Sequence, residues 1–171
     1  MTSLVRPATA ADLPGLAAVE ASGDRLFDTV FEGVDWPPPD SGEARAARPG
    51  LLLVVGEPVV GFAHVLSLPE GWHLEQLVVD PAHGRLGFGA ALLDAVCREV
   101  ASRGGDRVTL RTYADVPWNA PFYARHGWFE LPPEPDWMAP MREAEERIGL
   151  QRFGRRVAME RSVRPRSVRP G

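Results

Sequence analysis

The sequence predicts an α+β protein built around a sheet whose strands are interspersed with helices along the chain. Its length of 171 residues suits a single domain with a sizeable core, since domains typically run about 100–200 residues. Segments typical of strands and helices are mixed, and they include one hairpin and one strand–helix–strand unit. We therefore expect one domain over residues 1–160, followed by an arginine-rich tail over residues 161–171.

Composition and charge narrow the classes of protein to which this chain can belong. Cys97 is the single cysteine, which excludes a disulfide scaffold and favours a reducing compartment. No apolar run approaches the roughly 18 residues that a membrane span needs, and the first residues lack the apolar core of a signal peptide. The formal net charge of −4 argues against a nucleic-acid-binding protein, whose domains carry a clustered basic face. We expect a cytoplasmic protein without a nucleic acid or a membrane as partner.

The chain before residue 50 is predicted to form a strand, two helices and a loop. These are a strand over residues 3–7, a helix carrying Leu13, Leu16 and Val19, a short helix that includes Phe27, Val30 and Phe31, and a loop over residues 35–42. Asp12 has the side chain of a helix N-cap. The loop contains consecutive prolines, which exclude both a helix interior and a central strand.

The rest of the chain is predicted to consist of strands and three helices. The strands cover residues 51–55, 58–65, 72–79, 107–111, 128–131 and 156–160, and the helices cover residues 88–103, 121–125 and 138–150. The first two of these strands form a hairpin across Gly56 and Glu57. One apolar stripe runs along the first of these helices and consists of Leu92, Leu93, Val96 and Val100. The tail repeats Arg-Ser-Val-Arg-Pro and lacks apolar side chains to dock it, so we expect disorder there.

The most informative segment is the turn between the strand over residues 72–79 and the helix that begins at Phe88. Its three glycines allow a sharp turn and the close approach of a ligand to the main chain. The first amides of a helix lack partners inside it and lie at the positive end of its dipole, which favours a phosphate or pyrophosphate. Arg85 is a candidate for a charge-assisted contact. A Walker loop does not fit, nor does a dinucleotide fingerprint, because Leu92 stands where a third glycine is needed.

Two motifs carry a resemblance to a known family. Val79-x-Pro81-x-x-Gly84-Arg85-Leu86-Gly87-Phe88-Gly89 resembles the acetyl-CoA pyrophosphate loop of the GNAT superfamily of N-acetyltransferases, which reads Arg/Gln-x-x-Gly-x-Gly/Ala. Gly84 departs from that pattern, where the family has Arg or Gln. Further along, Tyr123-x-x-x-Gly127-Trp128 resembles the family's Tyr-x-x-x-Gly-Phe signature, with Trp128 in place of Phe. The Asn common seven residues before this Tyr is replaced by Val116, and Asn119 stands four residues before it.

The resemblance implies a mixed, mostly antiparallel sheet of six or seven strands, flanked by helices in a three-layer α/β arrangement. Two central strands, those around Val79 and Leu110, splay apart so that the pantetheine of acetyl-CoA inserts between them. The implied cofactor contacts are the main chain of Leu77, Val78 and Val79, the loop residues Gly84, Arg85, Leu86, Gly87, Phe88, Gly89 and Ala90, and the side chain of Asn119. A main-chain N–H near Val79 would polarise the thioester carbonyl.

Acetyl transfer to an amine requires a base for the amine and an acid for the departing thiolate. On a strand, residues 73, 75, 77 and 79 share one face, so we expect His73 and Glu75 to point the same way, toward the cleft between the splayed strands. We expect Glu75 to be the base, with His73 as its partner or its alternative, and the resemblance makes Tyr123 the acid. The alternatives are an exposed polar strand edge at 73–75 and a core role for Tyr123. We expect no metal, since no third ligand stands at a suitable spacing, and the other histidines are read as structural or solvated.

The acceptor side is predicted from aromatic residues. Phe27, Phe31, Trp36 and Trp72 are candidates for its wall, and the alternative is that they fill the core. The excess of acidic residues before the tail favours a cationic amine, so we expect the primary amine of a small molecule or a protein N-terminus. A non-catalytic acyl-CoA sensor of the same fold is the competing hypothesis. Whether the chain forms a homodimer is left open.

Overall fold

The computed structural model describes residues 5–164. Its strands are β1 (Arg6–Pro7), β2 (Gly50–Val55), β3 (Gly61–Leu68), β4 (Gly71–Val79), β5 (Arg107–Tyr113), β6 (Phe129–Glu130) and β7 (Arg156–Ser162). Its α-helices are α1 (Leu13–Asp24), α2 (Gly42–Ala46), α3 (Phe88–Ser102), α4 (Ala120–Arg125) and α5 (Ala139–Arg147). The strands form one sheet in the order β1-β2-β3-β4-β5-β7-β6. The predicted α+β class and the mixed seven-stranded sheet are confirmed.

The two central strands pair only over a short distance. β4 and β5 are the parallel neighbours of the sheet, and their register joins Trp72 to Val108, His73 to Thr109 and Leu74 to Leu110. The other neighbouring strands are antiparallel. Beyond Leu74, β4 continues to Val79 along β3, while β5 continues to Tyr113 along β7. The central strands therefore diverge, as expected.

Each face of the sheet is covered by a different helix. The apolar stripe of α3 is fully buried, as predicted, and packs on one face in the larger core cluster with Val65, Leu74 and Leu110. On the opposite face, Leu16 and Val19 of α1 pack against Val54 and Phe62 in the second core cluster. The diverging end of β4 therefore lies between α1 and α3, and β5 packs against α3.

Two elements differ from expectation near the start of the chain. The short helix expected around Phe27 is a 3-10 turn over Arg25–Thr29 that continues from α1. Helix α2 was not predicted, and it follows directly on the proline loop. It begins where the Ser41 hydroxyl accepts a hydrogen bond from the amide of Ala44 at 3.1 Å.

Other element bounds shift by a few residues. β3 begins at Gly61 rather than at residue 58, and the helix expected over 138–150 is shortened to α5, which a 3-10 turn over Leu150–Phe153 follows. β7 extends to Ser162, which pairs with Arg107, so the strand passes the expected domain end at residue 160. Residues 3–4 of the first predicted strand and residues 165–171 of the tail lie outside the described residues.

A β-bulge interrupts β4 at Glu75. Val65 pairs with Leu74 and the preceding His64 pairs with Gln76, so Glu75 has no partner in the β3 register. A bulge places two consecutive side chains on similar sides of a strand and shifts the alternation after it. The expectation that residues 73, 75, 77 and 79 share one face is therefore wrong beyond Glu75. Leu77 packs with the α3 core, whereas Glu75 contacts residues on the α1 side.

Candidate functional site

The opening between β4 and β5 is edged by main-chain groups of β4. The amide of Asp80 donates to the carbonyl of Val60 at 2.7 Å, so Asp80 and Val78 turn their main-chain groups toward β3. Leu77 and Val79 turn theirs toward the opening. The amide of Leu77 donates to Oε1 of Gln76 at 3.1 Å. Two of the three expected main-chain contacts thus lie at the opening, while the main chain of Val78 faces β3 instead.

The glycine-rich turn leads from the open end of β4 into α3. Arg85 and Gly87 both have positive φ angles, +60° and +82°, and α3 begins at the next residue, Phe88. Among the described residues, no main-chain carbonyl accepts a hydrogen bond from the amides of residues 85–90. Leu86 is 64% exposed at the tip of the turn. Open amides, a helix N-terminus and an arginine are the groups that a pyrophosphate site needs, so this turn is the candidate for one.

Helix α4 lies against this turn and carries Tyr123. A side chain at Gly89 would approach the Phe122 ring at 3.3 Å, so the start of α3 and α4 are in close contact. Tyr123 is buried in the same core cluster that Leu77 and Val79 pack against. Burial raises the pKa of its hydroxyl above the ordinary value, so Tyr123 stays protonated at neutral pH and remains a proton donor.

Asn119 precedes α4 and is engaged within the protein. Its Oδ1 accepts a hydrogen bond from the amide of Tyr113 at 3.3 Å, and its carbonyl accepts one from the amide of Tyr123 at 3.0 Å. The side chain therefore ties the end of β5 to α4. The structure gives Asn119 a structural task at the position where a cofactor contact was expected.

Glu75 is surrounded by basic side chains. Its Oε2 lies 2.5 Å from Nδ1 of His64 and 2.9 Å from Nη1 of Arg45, and its Oε1 lies 3.4 Å from Nη1 of Arg48. Burial acts to raise the pKa of Glu75, but the His64 hydrogen bond and the two arginine charges outweigh it and lower the pKa below its ordinary value. Glu75 is therefore ionised at neutral pH.

His73 lies two residues away in a different electrostatic state. Its ring is buried, its Nδ1 is 2.9 Å from the Thr109 hydroxyl, and the Trp137 ring meets it edge-on at 6.1 Å. Burial, which disfavours the charged ring, lowers the pKa of His73 to about 4, and the nearby Arg111 adds to this while Glu75 opposes it. The imidazole is neutral at pH 7.

Three of the four aromatic residues expected at the acceptor site come together. Phe27 stacks on Phe31 at 5.7 Å and packs against Trp36 at 5.1 Å between ring centroids. Tyr113, at the diverging end of β5, joins this aromatic cluster at 5.0 Å from Phe31. Trp72 does not join it, because its ring packs on the larger core cluster at the paired end of β4 and β5.

Comparison with known proteins identifies the family. The model of the acetyltransferase (GNAT) family matches residues 23–128, which is more than half of the chain. The chain belongs to the GNAT acetyltransferase family. The match includes β4, the glycine-rich turn and α4, which are the elements that border the opening.

Solved structures with the same fold agree with this assignment to the GNAT family. The ribosomal-protein-S18-alanine N-acetyltransferase from Escherichia coli superposes with a TM-score of 0.64 at 18% identity, covering 99% of both chains. The PaiA N-acetyltransferase from Thermoplasma acidophilum in complex with coenzyme A gives 0.69 at 14% identity, covering 95% of this chain and 99% of that one. An aminoglycoside 6′-N-acetyltransferase complexed with coenzyme A gives 0.62 at 18% identity, covering 95% and 98%.

The side chains that surround Glu75 in this GNAT protein were not predicted from its sequence. His64 was expected to be structural or solvated, yet its ring contacts the carboxylate, and Arg45 lies on the helix that was not predicted. His64 lies in a segment that was predicted to be a strand. The bulge that brings Glu75 to His64 depends on the register between two strands, which the sequence does not reveal.

Within residues 5–164, no group of three or more His, Cys, Asp or Glu side chains is arranged to hold a metal ion. No helix in the same range is long and apolar enough to cross a membrane.

Proposed function

We propose that this GNAT family member transfers an acetyl group from acetyl-CoA directly to a primary amine within a ternary complex. The observation that carries the proposal is the divergence of β4 and β5 into an opening that ends at the open amides of the glycine-rich turn. An ionised carboxylate, Glu75, lies on the same strand. The complexes with coenzyme A among its structural relatives support a cosubstrate of this type.

The residues fit the proton transfers that the reaction needs. Acetyl-CoA supplies a thioester when it is bound, and the main-chain amide of Val79 is a donor available to its pantetheine or its carbonyl. The amide of Leu77 becomes a second donor once it exchanges its contact with Oε1 of Gln76 for the ligand. Glu75 accepts the proton that the amine must lose, directly or through a water molecule. Tyr123, which stays protonated, donates a proton toward the departing sulfur.

The acceptor is proposed to enter beside the aromatic cluster of Phe27, Phe31, Trp36 and Tyr113. These rings are adjacent to the diverging end of β5 and offer an apolar wall, while the excess of acidic side chains favours a cationic amine. The structural relatives include a ribosomal-protein-S18-alanine N-acetyltransferase and an aminoglycoside 6′-N-acetyltransferase. Both a small-molecule amine and a protein N-terminus therefore belong in the first panel of acceptors.

Release of coenzyme A thiol from acetyl-CoA across that panel tests the proposal. With the best acceptor, Glu75→Gln and Tyr123→Phe each lower kcat/KM by roughly 10²-fold, the contribution of a positioned base or acid. Glu99→Gln is the control, because Glu99 lies on α3 and pairs with Arg103 at the surface. Binding of coenzyme A without thiol release from any acceptor would favour the acyl-CoA sensor instead.

A further inference from the structure

We propose that Arg45 and His64 are positioning residues that bind Oε2 of Glu75 and so reserve Oε1 for the proton of the acceptor amine. The inference rests on the proposed function, since it takes Glu75 to be the base. It goes beyond that function by assigning separate tasks to the two carboxylate oxygens and by naming the side chains that enforce them.

Oε2 is occupied from two directions. A carboxylate accepts only, so the His64 Nδ1 at 2.5 Å donates its proton to Oε2, and the Arg45 Nη1 at 2.9 Å donates to the same oxygen. The 3.1 Å contact between His64 Nδ1 and Arg45 Nη1 is then not a hydrogen bond, because both atoms carry protons. His64 Nε2 has no hydrogen-bond partner among residues 5–164, so the described polar contacts of this buried ring all involve its Nδ1 edge beside Glu75.

Arg45 is itself fixed in place. Its side chain is 4% exposed, its Nη2 donates to Oε2 of Glu20 at 2.6 Å, and its guanidinium lies 5.4 Å from the centre of the Phe62 ring. Glu20 is in turn held by Nε2 of Gln76 at 2.8 Å. A planar guanidinium clamped between two carboxylates cannot turn away, so the orientation of Glu75 is set by groups on α1, α2 and β3.

Oε1 is engaged less closely than Oε2. Its polar contact within residues 5–164 is Nη1 of Arg48 at 3.4 Å, and the Arg48 side chain is 40% exposed and also pairs with Asp40 at 2.8 Å. The Glu75 side chain is 32% exposed, while those of His64 and Arg45 are almost wholly buried. In the proton step, an N–H bond of the acceptor ammonium breaks, an O–H bond forms on Oε1, and the electron pair stays on nitrogen. One water molecule can carry the proton between them.

The charges around Glu75 predict the direction of a pH effect. The groups that face it are Arg45 and Arg48 from α2 and the segment after it, His64 from β3, His73 on its own strand, and Glu20 and Asp40 behind the arginines. Loss of a donor to Oε2 favours the protonated carboxyl. The acidic limb of kcat/KM, below which the base is protonated, then moves to higher pH.

Paired variants at each position separate positioning from structure. His64→Leu removes the donor, whereas His64→Asn keeps an amide N–H near the position of Nδ1. Arg45→Lys keeps the positive charge but loses the planar guanidinium that donates to two carboxylates at once. Arg111→Lys is the matched control, since Arg111 is an equally buried arginine between Glu134 and Glu145. Two measurements are made on each folded variant: the pH profile of kcat and KM, and a carbon-detected NMR titration of the Glu75 carboxyl, assigned with Glu75→Gln.

We expect the kinetic and NMR changes only in variants of Arg45 and His64. His64→Leu and Arg45→Lys lower kcat roughly tenfold or more with KM nearly unchanged, and both move the acidic limb and the NMR midpoint to higher pH. His64→Asn restores most of the loss, and Arg111→Lys moves neither midpoint. Unchanged midpoints in folded His64→Leu and Arg45→Lys overturn the inference. If the wild-type protein transfers no acetyl group, or Glu75→Gln is fully active, the proposed function fails while the NMR midpoints still report on the inference separately.

Discussion

Glu75 and His73 lie two residues apart on β4, and their surroundings give them different charges at neutral pH. The basic neighbours of Glu75 keep its carboxylate ionised, whereas burial without a cationic or anionic hydrogen-bond partner keeps His73 neutral. The pKa of each group lies below its ordinary value, so basicity does not separate the two, but the Glu75 side chain is partly exposed whereas the His73 ring is buried and closed off from an acceptor. This contrast favours Glu75 as the base and leaves His73 a place in the wall of the site.

Asp24 provides a test of electrostatics at a residue outside the proposed chemistry. It is the last residue of α1, where the helix dipole is unfavourable to an anion, and Glu20 stands four residues before it. Burial raises the pKa of Asp24 to about 6. The negative charge of Glu20 adds to this rise, and the positive charge of Arg45 opposes it. The folded state therefore binds its proton more tightly than the unfolded chain does, and at pH 7.5 the ionised Asp24 destabilises the fold.

Asp24→Asn is expected to stabilise the protein at pH 7.5 by about 1 kcal/mol, because removing the charge removes this penalty. This free energy is well below the value that the whole rise in pKa would correspond to, because solvent screens the charge of a partly exposed carboxyl. Chemical denaturation at pH 7.5 and at pH 5 measures it: the gain shrinks at pH 5, where the wild-type carboxyl is largely protonated. Asp28→Asn, at an exposed position in the next turn, is the control. An equal gain at both pH values would rule out the electrostatic cause.

At the scale of elements, a helix or turn could be predicted when its sequence pattern lies within a short stretch of the chain. The helix α3 and the turn before it were predicted because an apolar stripe and three glycines are visible in a short window. Helix α2 has only five residues and begins at a glycine, so its periodicity is too short to detect. The bulge at Glu75 depends on the register with β3, which no pattern within β4 reveals.

The same reasoning applies to the site. Glu75 and Tyr123 were predicted from a strand position and a family motif, and the aromatic cluster was predicted in part. The partners of Glu75 come from positions 11 and 30 residues earlier in the chain. Contacts at such separations are decided by the packing of α1 and α2 on the sheet. Sequence patterns within single elements therefore indicated the candidate residues Glu75 and Tyr123 but not the side chains that contact Glu75.

Two glycines at opposite ends of α3 allow the glycine-rich turn to be tested against a matched control. Gly87 precedes the helix with φ +82° and Gly104 follows it with φ +80°, and at both a Cβ would meet nothing within 4 Å. Valine at either position strains the left-handed backbone by roughly 1–2 kcal/mol, so both variants lose similar stability. Only Gly87→Val should weaken coenzyme A binding, by tenfold or more in isothermal titration, because the bulk lies where the pyrophosphate approaches. Equal affinities of the two variants would remove the turn from the site.

At the scale of the whole molecule, the sheet consists of two halves that meet at a short seam. The half containing β1–β4 and the half containing β5–β7 share the register positions 72–74 and 108–110, and α3 spans both from one face. Beyond that seam, the main-chain groups of Leu77 and Val79 have lost the strand neighbour that would pair with them. A ligand that entered the opening would replace this neighbour and join the two halves.

Binding of coenzyme A should therefore stabilise the molecule, and its effect should be concentrated at the seam. A saturating ligand at about 100 times its Kd adds roughly 2.7 kcal/mol, which corresponds to a rise in Tm of several degrees. Amide hydrogen exchange should slow most at Leu77, at Val79 and in the turn over residues 85–90, while β3, which already pairs with a strand on either side, changes little. The Gly87→Val variant should lose both effects and Gly104→Val should keep them. A rise in Tm with uniform protection, or with protection confined to the face covered by α1, would mean that coenzyme A binds elsewhere and that the opening between β4 and β5 serves another ligand.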